Sequence, residues 1–132
     1  MSNRPIILTA SLFGLTAVVL GAFGAHGLKS QVSPEALEIW SKGVEYQFYH
    51  TFALLFLSQL SMKQPKLLKL AYYFFTFGII LFSGSLYLLA TREITHIGFG
   101  AVLGPITPIG GLLFILGWGS LFFAASNNIK DE

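Results

Sequence analysis

"SPEALEIWSKGVEYQFYHTFALLFLSQLS", residues Ser33 to Ser61, is the stretch on which the fold turns. Its first half carries charges, and its second half, from Tyr46 on, carries none. If the second half crosses a membrane, the chain has an even number of crossings; if not, an odd number. Ser33-Pro34-Glu35 has the form of an N-cap, a first-turn proline and an acidic first turn. Leu37, Trp40 and Val44 then fall on one helical face. This predicts a short interfacial helix, with Trp40 in the aromatic belt, that either stops before the apolar segment at 44–61 or runs on into it.

The rest of the chain points the same way. Of 132 residues, 54% are hydrophobic and 11% charged; ordinary soluble domains have roughly 25% charged residues. Pro5 to Gly27, Tyr46 to Met62, Ala71 to Thr91 and Ile94 to Ile129 hold no Asp, Glu, Lys or Arg. A crossing helix needs about 20 apolar residues, so four spans are expected, at 5–25, 44–61, 68–90 and 108–125. Buried helices of a soluble bundle would show polar faces with a 3.6-residue period, and these runs have none. The fold class is therefore all-α, an integral membrane four-helix bundle forming one transmembrane domain over residues 1–132. The first span exceeds the usual length of a signal-peptide core, about 7–15 residues, and is expected to be retained. With no cysteine in the chain, disulfides, thiolate metal sites and thioether haem attachment are excluded. The net charge is +2 and the basic residues are dispersed, so nucleic acid is not an expected partner.

Between spans three and four lies a segment rich in glycine and proline: Gly98, Gly100, Gly104, Pro105, Pro108, Gly110 and Gly111. A continuous helix through both prolines conflicts with proline's missing N–H. The expectation is a short helix or re-entrant piece from Ile94 to Gly104, with Thr107-Pro108 capping span four. Orientation follows from Lys and Arg alone. Arg4, Lys63, Lys66, Lys69 and Lys130 share one side, and Lys29, Lys42 and Arg92 the other. Both termini are expected in the cytoplasm, with the protein in a bacterial plasma membrane.

Small residues recur at helical spacing. Ala10, Gly14, Ala17, Gly21, Gly24 and Ala25 line one face of span one. Ala71, Gly78 and Ser85 in span three, and Gly110, Gly117 and Ala124 in span four, each repeat every seventh residue. In lipid no hydrophobic drive pulls helices together, so close backbone approach across small residues must hold them. Gly14, Ala17, Gly21, Gly24, Gly78 and Gly117 are thus read as helix-packing positions.

The candidate functional polar cluster is His26, Tyr46, Gln47, His50, Ser83 and Arg92. Tyr46, Gln47 and His50 project within about 100° of one another, and His50 lies roughly 10 Å beyond Gly43 along the helix. An ionisable side chain at that depth is a functional hypothesis by default. A neutral imidazole with a hydrogen-bond partner is the simpler structural reading. Glu45 points away from His50, and Lys42 or Arg92 is its expected ion partner. His26 is read as a structural anchor at the end of span one. His26 and His50 sit at different depths, which argues against a shared haem. No spacing supports a zinc site from His26, Glu45, His50 and His96. No metal or cofactor is expected.

"GAFGAHGLK", "GVEYQFYHTFALL", "FSGSLYLLA" and "GPITPIGGLLFILGW" occur in this order along the chain. Together they resemble the small membrane family called domain of unknown function 423, itself similar to animal transmembrane protein 256. The resemblance implies a four-span membrane protein with its first span retained, and brings no established activity. The leading expectation is a non-enzymatic accessory or structural membrane component, with membrane lipids as partners and other membrane proteins or further copies of itself as candidates. A small transporter or proton-linked permeation protein using His50 and Gln47 is the second reading. The third is an outer-face enzyme or cofactor binder built on His26 and His50 with a carboxylate or Arg92.

Overall fold

A computed structural model describes residues 3–61, 65–97 and 100–129. Lys63, Gly98 and Lys130, used above for sidedness and for the glycine-rich segment, lie outside the described residues. All regular structure among the described residues is helical.

Helix α1 (Asn3–Phe23) continues into a wide π turn, Gly24–Leu28. The polar link ends at Ser33, whose Oγ accepts from the Ala36 N–H at 3.2 Å and caps α2 (Pro34–Leu57). The surface helix expected after the first span and the apolar segment that begins at Val44 are thus one helix of 24 residues, about 36 Å long: the helix runs on without a break between them. Nothing in "WSKGVEYQ" breaks it: Gly43 is tolerated mid-helix because Tyr87 packs against it, 2.7 Å from where its Cβ would stand.

Helix α3 (Pro65–Gly78), a second π turn (Ile79–Ser83) and α4 (Gly84–Ala90) form one rod of 26 residues. A single turn, α5 (Arg92–Thr95), ends at His96 in the left-handed region (φ 55°), where the His96 N–H bonds the Arg92 carbonyl. Such a left-handed residue closes a helix C-terminus.

Helix α6 (Gly100–Ile129) runs unbroken through Pro105 and Pro108. The expected break before span four is therefore corrected, and Thr107 lies inside the helix and does not cap it. Three local features fit this continuity. Pro105 falls close to the helix start. The residue four before Pro108 is Gly104, the carbonyl the proline ring crowds, and its side lies open. The Thr107 hydroxyl donates to the Leu103 carbonyl at 3.2 Å. That carbonyl adjoins the Gly104 carbonyl, the one that Pro108 leaves without its helical N–H.

The rods pack largely in chain order: α1 on α2, α2 on α4 and the second π turn, α3 and that turn on α6. Ile6, Ala10, Leu54, Leu57, Ala71, Phe75 and Phe114 make the central core. Outside it, Leu15, Ile115 and Phe122 are 63%, 67% and 68% exposed, far more large apolar surface than a soluble monomer presents. Asn3–Leu28, Pro65–Ala90 and Leu103–Asn127 are each long and apolar enough to cross a membrane. Helix α2 is not among these: its uncharged part begins only at Tyr46 and carries Gln47 and His50.

Candidate functional site

Gln47 sits where α1, α2 and α4 meet, 3% exposed. Its amide nitrogen donates to the Phe13 carbonyl at 2.8 Å and the Thr16 hydroxyl at 2.9 Å, both on α1. Its amide oxygen accepts from the Tyr87 hydroxyl on α4 at 2.7 Å. All three bonds cross to another helix. One turn toward the π turn Gly24–Leu28, Ser83 donates to the Gly43 carbonyl at 2.7 Å. Trp40 Nε1–H donates to the Leu20 carbonyl at 2.9 Å, beside that turn, and its ring lies 4.7 Å from that of Tyr87.

His50 faces the other way, toward α6, and is 4% exposed. Trp118 Nε1–H lies 3.2 Å from His50 Nε2 and Nδ1 lies 2.8 Å from the Tyr46 carbonyl. An indole nitrogen only donates and a carbonyl only accepts. Nε2 must therefore hold the lone pair and Nδ1 the proton, so the ring is neutral with both nitrogens engaged. It stacks on Phe114, centroids 3.5 Å apart and planes 6° apart. Beside it an apolar groove of about 560 Å³ opens sideways, lined by Tyr46, His50, Phe82, Pro108, Phe114 and Trp118 among others. Gln47 is not part of that lining, although the transport reading required His50 and Gln47 on one path.

The six residues of the candidate cluster thus divide. Gln47, His50 and Ser83 are buried, each bonded to a neighbouring segment. Tyr46 joins through its carbonyl, and its ring lies 4.8 Å from Phe82. His26 is exposed on the first π turn and Arg92 is exposed on α5; neither lines the groove at His50. Glu45 pairs with Lys42 at 3.2 Å. That hydrogen bond and charge hold the Lys42 ammonium above the usual lysine range. Among the described residues no three His, Asp or Glu side chains gather as a metal site.

The packing positions divide too. A Cβ on Gly24 would stand 2.6 Å from the Trp40 ring, on Gly78 2.6 Å from Phe114, and on Gly117 2.6 Å from Phe75. Ala17 is fully buried. Gly14 and Gly21 are looser, with Thr51 and Val44 at 3.5 and 3.4 Å. Trp118, Tyr87 and Thr16 carry bonds that the sequence reading did not assign. One signal was available: a polar atom inside an apolar span needs a partner, and few such atoms exist in spans one and four.

The family model described as "Protein of unknown function (DUF423)" matches residues 20–111. The chain belongs to this family. Related chains are named UPF0382 membrane proteins. One from Staphylococcus aureus is 44% identical over 118 residues, 89% of this chain and 92% of the relative. YwdK of Bacillus subtilis is 39% identical over 124 residues, 92% and 96% of the two chains. A third, from Haemophilus influenzae, is 41% identical over 125 residues, 95% of each. No solved structure matches. The DUF423 match ends between Gly110, which packs on Phe82, and Trp118, which bonds His50.

Proposed function

We propose that this DUF423 protein crosses the membrane four times, with both termini cytoplasmic in a plasma membrane, and acts as a non-enzymatic accessory or structural component. The observation that carries the reading is the use of the deep polar groups. Gln47, His50 and Ser83 bond to other helical segments, and Thr51 to the Gln47 carbonyl at 2.6 Å. The bonds of Gln47, His50 and Ser83 act as glue between membrane helices, while the Thr51 bond satisfies its hydroxyl within α2. The same fact supports a crossing by α2: its polarity is met by protein partners, so the residues that lower its hydropathy need not face lipid. Its length and its pairing with α1, from Trp40 at Leu20 to Leu57 in the cluster with Ile6, support a full crossing.

The chain has no cysteine, so single cysteines report sidedness cleanly. In intact cells Ser30→Cys and Thr95→Cys are expected to react with an impermeant maleimide, and Ser61→Cys and Asn127→Cys only after permeabilisation. Equal labelling at Ser30 and Ser61 would mean that α2 does not cross.

The functional reading is tested in proteoliposomes. Vesicles holding the wild type, His50→Ala or no protein are expected to pass protons at the same rate, while His50→Ala melts lower in detergent. A proton flux present in the wild type and lost in His50→Ala would replace the structural reading with permeation.

A further inference from the structure

We propose that the end of the molecule formed by the first turn of α1 and the start of α3 binds the phosphate of an anionic lipid, such as phosphatidylglycerol. The proposal rests on the four-crossing reading, which puts this end at the cytoplasmic interface. A cavity of about 220 Å³ opens there, lined among others by Asn3, Ile6, Leu57, Leu60, Ser61 and Lys69. Its lining divides by chemistry. Ile6 and Leu57 are 4% and 2% exposed and make an apolar floor. Asn3, Ser61 and Lys69 are exposed and bring an amide, a hydroxyl and an ammonium to the rim. A polar rim over an apolar floor matches an amphiphile, with phosphate oxygens at the rim and the first acyl carbons against Ile6 and Leu60.

Charge selects the headgroup. Lys66 and Lys69 stand on the first turns of α3. The described carboxylates, Glu35, Glu38, Glu45 and Glu93, all lie at the opposite end, on the first half of α2 and on α5. A zwitterionic headgroup would gain little from this field. An anionic one gains an attraction that decays within a Debye length, about 8–10 Å. The apolar floor favours a lipid over free phosphate, which shares the same oxygens.

The test is native mass spectrometry of the full chain in mild detergent, with phosphatidylglycerol or phosphatidylcholine of identical acyl chains. Wild type is expected to retain phosphatidylglycerol preferentially. Lys69→Gln is expected to reduce that retention about fivefold, the size usual for one basic side chain near an anionic surface. Lys29→Gln, at the other end, is expected to leave it unchanged. Both side chains are exposed, so matching melting temperatures confirm that each variant folds. Equal retention of the two lipids, or equal losses in the two variants, overturns the proposal. Full displacement by millimolar inorganic phosphate assigns the rim to soluble phosphate and overturns the lipid. The cysteine labelling reads the crossing number independently, so a wrong topology and a wrong ligand give different results.

Discussion

Gly110→Ala is expected to lower the melting temperature in detergent more than alanine at any other glycine of α6. A Cβ there would overlap the Phe82 backbone nitrogen and stand 2.7 Å from its Cα and 2.8 Å from its Cβ. Elsewhere on the interface the obstructing atoms are ring carbons, Phe114 at Gly78 and Phe75 at Gly117, and a ring can rotate or slide. Backbone inside the π turn Ile79–Ser83 cannot move without carrying the rod with it. The added methyl therefore pushes α6 away from α3 and strains the contact between the Ser85 and Thr107 hydroxyls, now 2.7 Å apart. Overpacking costs about 1–3 kcal/mol, and a backbone clash belongs at the upper end. Helix propensity returns up to about 1 kcal/mol on replacing glycine, leaving a net loss of about 2 kcal/mol. Gly119 supplies the control. Nothing stands within 4 Å of its Cβ position, so Gly119→Ala is expected to melt at or slightly above the wild type. If the two variants melt alike, the close approach at Phe82 is not what holds α6.

The contrast between these glycines shows where sequence reading reaches and where it stops. The seven-residue spacing of Gly110, Gly117 and Ala124 was visible, because helical geometry alone places them on one face. What opposes each was not, because Phe82 and Phe75 come from another rod and their distance along the chain carries no periodic signal. The Ser33 cap and Pro34 were legible for the same local reason. The prolines of α6 misled, since the rule applied was the general cost of an interior proline. Here Gly104 sits under Pro108 and the Thr107 hydroxyl engages the neighbouring carbonyl. In the polar cluster, Gln47 and His50 stood out as polar residues inside an apolar run. Their directions did not: Gln47 turns to α1 and α4, His50 to α6. Trp118 stands 68 positions from His50, a separation that carries no periodic signal. The family match adds no chemistry, so the direction of each bond is set by the fold alone.

Gln47→Leu is expected to destabilise the protein by about 2–4 kcal/mol. Leucine has nearly the volume of glutamine, so the change removes bonds while leaving little void. Three interhelical bonds are lost, at Phe13, Thr16 and Tyr87, and bonds of this type average about 0.6 kcal/mol each in membrane proteins. Thr16 keeps its own bonds to the Leu12 and Phe13 carbonyls at 3.0 and 3.2 Å. Tyr87 is worse placed: its half-buried side chain loses the Gln47 oxygen at the α1–α2–α4 junction, and an unpaired polar group costs about 1–3 kcal/mol where water cannot reach it. The orphaned phenol, more than the lost bonds, is thus expected to dominate. That claim has its own check. Tyr87→Phe removes the phenol, so Gln47→Leu with Tyr87→Phe is expected to melt higher than Gln47→Leu alone, with a coupling of about 1 kcal/mol or more. Strict additivity would mean that the two side chains do not share a bond, and Gln47 would then tie α2 to α1 only. A double variant more stable than Gln47→Leu would instead show that the Gln47 amide and the Tyr87 hydroxyl satisfy each other, and make Gln47 the side chain that locks α2 to α4.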